Sequence, residues 1–320
     1  MNLHIVIFIG SLILLFGAGK ILIGSLTRIG KFLGWREFVL AFIIIAIAAS
    51  LSNLFVGVTA ALHGLPEISF GEIVGGNLVD LTIAVALAAF FAKGLPAESK
   101  MVQTSAIFTM VIAVLPLLLI LDGKLGRVDG ILLILIFFFY IFWLFSKKER
   151  FSKVYDSKEV PIFKGFRGFM KDLGKLILGI GFLLISAEGI VRSAVYFSEA
   201  MNLPLALVGI LIVGLGNAIP ETYFAVVAAR KAEGCQSWLV LGDLMGAVII
   251  ASTMVLGIVA LIRPIEIVDF SPFALARFFL IIAAIFFLFF VRTDKRITTK
   301  EALFLLGIYV TFVIVEIFSK

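Results

Sequence analysis

Cysteine, histidine and charged residues are all scarce in this sequence. Cys235 is the single cysteine among 320 residues, which excludes an internal disulfide. The two histidines, His4 and His63, lie far apart and lack the spacing of a zinc site. Only 15% of the residues are charged and 62% are hydrophobic, which excludes a soluble globular domain and indicates a polytopic membrane protein. The N-terminus lacks the basic segment and cleavage pattern of a signal peptide, so we predict that it is retained as the first helix.

The hydrophobic residues form long runs along the chain. A membrane-spanning helix needs about 20 such residues. By that length the sequence predicts ten spans, at roughly 3–26, 37–62, 69–92, 101–121, 129–146, 173–197, 203–229, 236–262, 271–291 and 299–318. Residues 147–172 form the only long polar stretch and are predicted to be a basic link. The link separates two predicted domains of five spans each, residues 1–146 and 173–320.

Lysine and arginine are unevenly distributed between the two sides of the predicted spans. The central link and the loops after spans one, three, seven and nine are basic, whereas the opposite loops hold few basic residues. Because basic loops stay in the cytoplasm, we predict a multi-pass plasma-membrane protein with both termini outside and the central link inside. The net charge of +6 therefore indicates membrane-facing loops and the lipid bilayer as a partner. No nucleic acid, protein partner or cofactor is predicted.

The two halves resemble each other in sequence. Three pairs of segments recur in the same order: Phe16–Leu26 with Ile185–Val195, Ala46–Leu62 with Gly214–Arg230, and Gly71–Leu87 with Gly242–Ile258. Because each half has five spans, the second half enters the membrane in the opposite direction. The predicted fold class is therefore an all-α polytopic membrane protein with ten transmembrane helices in two inverted five-helix repeats, an arrangement that places substrate sites near the membrane midplane.

Polar residues interrupt the seventh predicted span. Asn217, Pro220 and Glu221 lie in its middle, and a carboxylate at this depth costs about 2.5–3.5 kcal/mol on insertion scales. Pro220 removes a backbone donor and is predicted to kink or open the helix. Freed carbonyls beside a carboxylate suit a hard cation. The alternative is a kinked helix whose glutamate bonds a neighbouring helix.

A second polar face lies on the third predicted span. Asp80 follows Gly76 and Asn77 by four and three residues, so the three share one helix face. Together with Asn53 and Glu221 on facing helices, this face offers two carboxylates and several neutral oxygens, enough for one divalent or one to two monovalent ions. The glycines of this span also permit an alternative reading, which is close helix packing without ion binding.

Comparing the repeats shows which polar positions differ between them. Glu221 corresponds to Asn53, and Asp80 corresponds to Ala251. Glu72 and Asp243 correspond to each other, each following a glycine, and are candidate acids along an ion path. Elsewhere, Glu188 and Arg192 are predicted to pair four residues apart on the sixth span.

This pattern resembles the cation/Ca²⁺ exchanger superfamily, specifically its sodium/calcium exchanger-like branch. The family has two Gly-Thr-Ser-x-Pro-Glu helices, each followed by a helix reading Gly-Asn-x-x-Gly-Ser-Asn-x-x-Asn/Asp. The matching residues are Gly216, Pro220 and Glu221, Ser50, Gly71, Gly75, Asn77 and Asp80, and Gly242 and Gly246. The sequence departs from the pattern where Asn53 replaces a glutamate, Ala251 replaces an acid or amide, and Glu72 and Asp243 replace asparagines.

The resemblance implies a secondary antiporter, not an enzyme, that exchanges Ca²⁺ for Na⁺ by alternating access. It implies Glu221 and Asp80 as the main cation ligands, with Asn53, Ser50, Asn77 and Asn217 as neutral ligands. Two alternatives stay open within this class: exchange of Ca²⁺ or another cation for H⁺, and a degenerate homologue that binds ions without transporting them. A third is an intramembrane aspartyl protease using Asp156 and Asp243, but Asp156 lies in the charged link.

Overall fold

The computed structural model describes residues 2–32, 45–146, 166–231, 237–267 and 271–318. These residues are mostly helical. Six helices run without a long irregular segment: α1 (Asn2–Phe32), α2 (Ile45–Leu62), α5 (Arg127–Ser146), α6 (Phe166–Met201), α9 (Ser271–Thr293) and α10 (Thr299–Phe318). Helix α4 (Lys100–Leu119) ends in a 3₁₀ turn, Ile120–Asp122. Nine helices in the described part are long and apolar enough to cross a membrane.

Three helices change their winding partway along. Helix α3 comprises Pro66–Val79, a π-helical turn at Asp80–Ala84, and Val85–Phe91. Helix α8 comprises Ser237–Ile250, a π-helical turn at Ala251–Val255, and Leu256–Ile262. Helix α7 comprises Leu205–Val208, a π-helical turn at Gly209–Val213, Gly214–Asn217 and Ile219–Lys231. Such π-helical turns occur frequently at functional sites.

The inverted repeat predicted from sequence is present, and its symmetry extends to small features of the backbone. The π-helical turns of α3 and α8 begin at Asp80 and Ala251, the two residues that the sequence comparison aligns. Two short antiparallel strand pairs also join loops of opposite halves: β1 (Leu95–Pro96) with β4 (Arg296–Ile297), and β2 (Lys124–Leu125) with β3 (Ile265–Glu266). The structure therefore confirms the predicted all-α fold with inverted repeats.

Some predicted boundaries differ from the observed ones. Helix α1 continues to Phe32 and α6 begins at Phe166, so residues 166–172 of the predicted link belong to a helix. The predicted spans are shorter than the helices because the additional helical turns are polar. They remain helical where α1 packs on α6, and Arg28 donates to both carboxylate oxygens of Asp172 at 2.9 and 2.8 Å. Residues 37–44 of the second predicted span and 147–165 of the link lie outside the described residues.

The core of the described protein is formed by the helices α3, α7 and α8. In the apolar stretches of these three helices, 78%, 61% and 78% of the residues are buried. In those of α1, α5, α6 and α10, only 22–33% are buried. The backbones of α3 and α7 come close at three successive positions: Gly71 lies beside Ala206, Gly75 beside Ile210 and Gly76 beside Gly214. A methyl group on Gly71 or Gly75 would collide with the α7 backbone, so only glycine permits this spacing.

The predicted pair on α6 is confirmed, with one additional partner. Arg192 Nε donates to Glu188 Oε1 at 2.6 Å. His63, directly after α2, also lies 2.8 Å from Glu188 through its Nε2. Both oxygens of this carboxylate are therefore paired, and the Glu188 side chain is 33% exposed.

Candidate functional site

Helix α7 is interrupted close to Pro220, as the sequence predicts. The helix is interrupted at Ala218, and it resumes with Ile219, Pro220 and Glu221. Pro220 has no N–H with which to bond the carbonyl of Gly216. The break brings Asn217 and Glu221 to the interior, where they are 2% and 5% exposed.

Helix α3 supplies three further polar side chains to the same region. Glu72, Asn77 and Asp80 are 1%, 3% and 5% exposed. Glu72, Gly76 and Asp80 follow each other at four-residue intervals and therefore lie along one side of the helix. The glycine contacts with α7 bring this side against the α7 break.

These side chains border one buried cavity. The atom-free space in and around it is about 240 Å³, a volume that includes open solvent. Its lining comes from four helices and consists of Asn53, Glu72, Ile73, Gly76, Asn77, Asp80, Gly214, Asn217, Ala218, Glu221 and Ala251. Five of the six residues predicted as ligands thus lie around a single space at the core.

Asn217 links three helices at one end of the cavity. Its Nδ2 donates to Glu72 Oε1 on α3 at 2.5 Å and to Asn53 Oδ1 on α2. These bonds occupy the nitrogen and leave Asn217 Oδ1 with no hydrogen-bond partner in the described structure. Asn77 is held similarly, because its Nδ2 donates to Ser252 Oγ on α8 at 2.7 Å.

Several buried oxygens at the cavity have no partner among the described residues. They are Glu72 Oε2, Asp80 Oδ1, Asn217 Oδ1 and Glu221 Oε2. Unpaired acceptors are costly in a protein interior, and they are rare where no ligand or water binds. All four are hard oxygen donors, the type that Na⁺ and Ca²⁺ prefer. The cavity therefore suits a cation as its substrate.

The carboxylates are distributed along the cavity. No group of three or more Asp, Glu, His or Cys in the described ranges is placed to hold one metal ion. Glu221 interacts electrostatically most with Asp80, then with Asp243, and least with Glu72. Asp80 and Glu221, one from each repeat, therefore form the central acidic pair.

Two predicted residues lie apart from the cavity lining. Ser50 is buried, and its Oγ has no hydrogen-bond partner in the described structure, but it is not a lining residue. Asp243 is half-buried and interacts electrostatically with both Asp80 and Glu221 without lining the cavity. Asp156, required by the protease alternative, lies outside the described residues.

The sequence interpretation missed two features of the site. Ser252, the partner of Asn77, follows Ala251 in the π-helical turn of α8, and alignment of Ala251 with Asp80 was the available signal. Glu72, which the sequence predicts as an ion-path acid, also borders the cavity, and the sequence interpretation did not predict that position. Its contact with Asn217 depends on how α3 and α7 pack, which no pattern within either helix reveals.

The fold and this membrane-embedded cavity define a cation transporter with inverted repeats. The chain matches the family of the sodium/calcium exchanger protein over residues 3–146 and 171–318, and it belongs to that family. It is therefore a secondary transporter and not an enzyme.

Individual relatives are distant in sequence but similar in length. The sodium/calcium exchanger MaX1 of Methanosarcina acetivorans is 24% identical, with 98% of each chain covered. The inner membrane protein YrbG of Escherichia coli is 23% identical, covering 85% of this chain and 82% of that protein. A solved structure of the sodium-calcium exchanger NCX_Mj has a TM-score of 0.66 at 20% identity, with 98% of both chains covered. This last likeness concerns the fold.

Proposed function

We propose that this protein moves Ca²⁺ against Na⁺ by alternating access, with Asp80 and Glu221 as the central ligands. The observation that carries the proposal is the pair of buried carboxylates, one per repeat, with unpaired oxygens at one cavity. Two carboxylates neutralise one Ca²⁺, and amide, backbone and water oxygens complete a shell of about 6–8 ligands. The proposed neutral ligands of the exchanged ions are Asn53, Asn77 and Asn217 at the cavity and Ser50, which is buried outside its lining.

The names of two relatives support Ca²⁺ and Na⁺ as the exchanged ions. MaX1 and NCX_Mj both carry the name sodium/calcium exchanger. In this chain Glu72 and Asp243 occupy equivalent positions on α3 and α8. We assign both to the paths by which cations reach and leave the central pair, with Glu72 at the end of its path that borders the cavity.

Exchange of Ca²⁺ for H⁺ is the second candidate, and one observation favours it. No serine or threonine among the described residues lines the cavity, so the side-chain oxygens of the described lining belong to carboxylates and amides. Carboxylates take up protons directly, whereas Na⁺ requires several oxygen ligands at once.

Ca²⁺ uptake into proteoliposomes distinguishes these candidates. A Na⁺ gradient and a pH gradient are imposed separately, with the membrane potential clamped. Uptake driven by Na⁺ at constant pH supports the first candidate, and uptake driven only by the pH gradient supports the second. Ion-dependent thermal stabilisation without any flux identifies a homologue that binds ions but does not transport them.

We also propose that the protein lies in the plasma membrane with both termini outside. The basic loops support this orientation. The family match falls into two segments on either side of the central link, which supports residues 1–146 and 173–320 as the two halves. Cys235, between α7 and α8 and outside the described residues, is then cytoplasmic. A membrane-impermeant thiol reagent is expected to label it only after permeabilisation, and labelling of intact cells would contradict the orientation.

A further inference from the structure

Glu72 differs from the other acids at the cavity in how it is held. Its Oε1 accepts a hydrogen bond from Asn217, and the same amide nitrogen bonds Asn53. This arrangement fixes a carboxylate from α3 beside two amides from α2 and α7. Glu72 Oε2 and Asn217 Oδ1 remain unpaired among the described residues, at 1% and 2% exposure.

Glu72 is also too far along α3 to share an ion with Asp80. Eight residues separate them, or roughly 12 Å at 1.5 Å per residue. Side chains on a helix lean in the same direction, so the two carboxylates do not converge between their turns. Among the three acids that interact with Glu221, Glu72 does so least, which agrees with this separation.

The charge at this end of the cavity selects the kind of ion. One carboxylate and two neutral amides carry a single negative charge. A monovalent cation there is neutralised, whereas a divalent cation leaves one positive charge uncompensated in a low-dielectric interior. The central pair carries two carboxylates and suits a divalent ion.

We propose that Glu72, Asn217 and Asn53 form a separate subsite for a monovalent alkali cation, beside the central Asp80–Glu221 pair. This subsite lies toward the N-terminal end of α3, two helical turns from Asp80. Asn217 orients the carboxylate through its nitrogen and offers its free oxygen to the ion. The proposal rests on the cation-exchange function above and adds the place where the monovalent ion binds.

Equilibrium binding tests this subsite independently of transport. Na⁺ and Ca²⁺ are each titrated alone into purified protein in nanodiscs by calorimetry, with choline maintaining ionic strength. Glu72→Gln retains an acceptor for Asn217 but removes the charge. It is expected to weaken Na⁺ binding by about tenfold or more, since a lost contact with a full charge exceeds the ~1.4 kcal/mol that tenfold requires. Ca²⁺ binding without Na⁺ is expected to change by less than about threefold.

Two other variants complete the design. Asp80→Asn is expected to show the opposite pattern, losing Ca²⁺ binding and retaining Na⁺ binding. In the Glu72→Gln background, Asn53→Asp returns a carboxylate to the same amide and is expected to recover most of the Na⁺ affinity. Glu188→Gln, at a carboxylate away from the cavity, is the matched control and is expected to bind both ions normally.

Asn53→Asp alone tests the subsite while keeping an oxygen acceptor for Asn217 Nδ2 at positions 53 and 72. A second carboxylate beside Glu72 is expected to admit a divalent ion and raise the Ca²⁺ stoichiometry from about one to about two per chain. Unchanged stoichiometry would contradict the proposal even if Glu72→Gln did not fold.

Three results would overturn the subsite. Equal losses of Na⁺ and Ca²⁺ affinity in Glu72→Gln would indicate one shared site. Unaltered Na⁺ affinity would remove Glu72 from the binding of Na⁺. Absence of saturable Na⁺ or K⁺ binding to the native protein, with pH-dependent proton release instead, would mean that Glu72 carries a proton. A failure of Ca²⁺ flux alone would refute the transport function but not this binding site.

Discussion

Helix α3 of the first half and helix α8 of the second have matched backbones and unmatched side chains. The π-helical turns of α3 and α8 begin at aligned residues, yet one begins with Asp80 and the other with Ala251. Similarly, Asn53 stands where the second half has Glu221. Backbone symmetry is a property of the fold, whereas the acids contribute to a single cavity and need not be duplicated.

This difference shows that the central pair is a joint product of both halves. Asp80 comes from the first half and Glu221 from the second, and each is nearly fully buried. Neither half supplies two central carboxylates by itself. The asymmetry also extends to packing, because Gly71 presses against α7 while the equivalent Gly242 has open space around its Cα.

Removing either central acid is expected to have the largest effect. Glu221→Gln and Asp80→Asn each leave a divalent ion with one buried counter-charge, which is strongly unfavourable at low dielectric. Each variant is expected to abolish Ca²⁺-dependent flux in proteoliposomes. Glu188→Gln is the control and is expected to retain flux. Ca²⁺ transport at the native rate by Glu221→Gln would refute the joint pair.

Substituting alanine for the equivalent glycines Gly71 and Gly242 tests the next largest effect, which is on stability. In Gly71→Ala the new methyl group meets the carbonyl of Ala206, so α3 and α7 must separate. We expect a loss of about 2–3 kcal/mol, measured as a lower midpoint of thermal unfolding in detergent. In Gly242→Ala no atom of the described residues lies within 4 Å of the new methyl group. This matched variant is expected to be neutral or slightly stabilising, and equal losses in both would contradict the packing asymmetry.

The contact between α1 and α6 tests how the first helices of the two halves hold together. Asp172 is 3% exposed and accepts two bonds from Arg28, which is 28% exposed. Arg28→Gln leaves a buried carboxylate short of its partner, with Lys175 at 3.6 Å as a partial replacement. We expect a loss of about 1–3 kcal/mol in thermal unfolding. If Arg28 and Asp172 stabilise each other, the double variant Arg28→Gln/Asp172→Asn will lose less free energy of unfolding than the two single variants lose in sum.

The strand pair β2–β3 is expected to give the smallest effect. Lys124 Nζ lies 2.7 Å from Glu266 Oε1, and this hydrogen bond lowers the pKa of the Glu266 carboxyl. A lowered pKa stabilises the folded state above the ordinary pKa of glutamate and loses that effect as pH falls through the folded value. Because both groups are exposed, Glu266→Gln is expected to leave the unfolding midpoint unchanged at neutral pH. A clear drop would show that this loop pair holds the halves together.

Much of the site was accessible from the sequence because helical periodicity places side chains on a face. The spacing of Gly76, Asn77 and Asp80 predicted a shared face, and Pro220 predicted the opening of α7; the structure shows both. Ser50 was selected by resemblance alone, and the structure does not place it at the cavity lining. Periodicity describes one helix at a time, so it assigns faces but not the distances between helices.

The sequence by itself determined the membrane class, the helix pattern, the inverted repeat and the identity of the central acids, because runs of apolar residues and rare intramembrane charges are local features. Only the tertiary structure decided that Glu72 joins Asn217 and Asn53, and that Asn77 joins Ser252. Those contacts depend on how closely α3 approaches its neighbours. That approach is set by glycines meeting backbone across the interface, an interaction between segments more than a hundred residues apart.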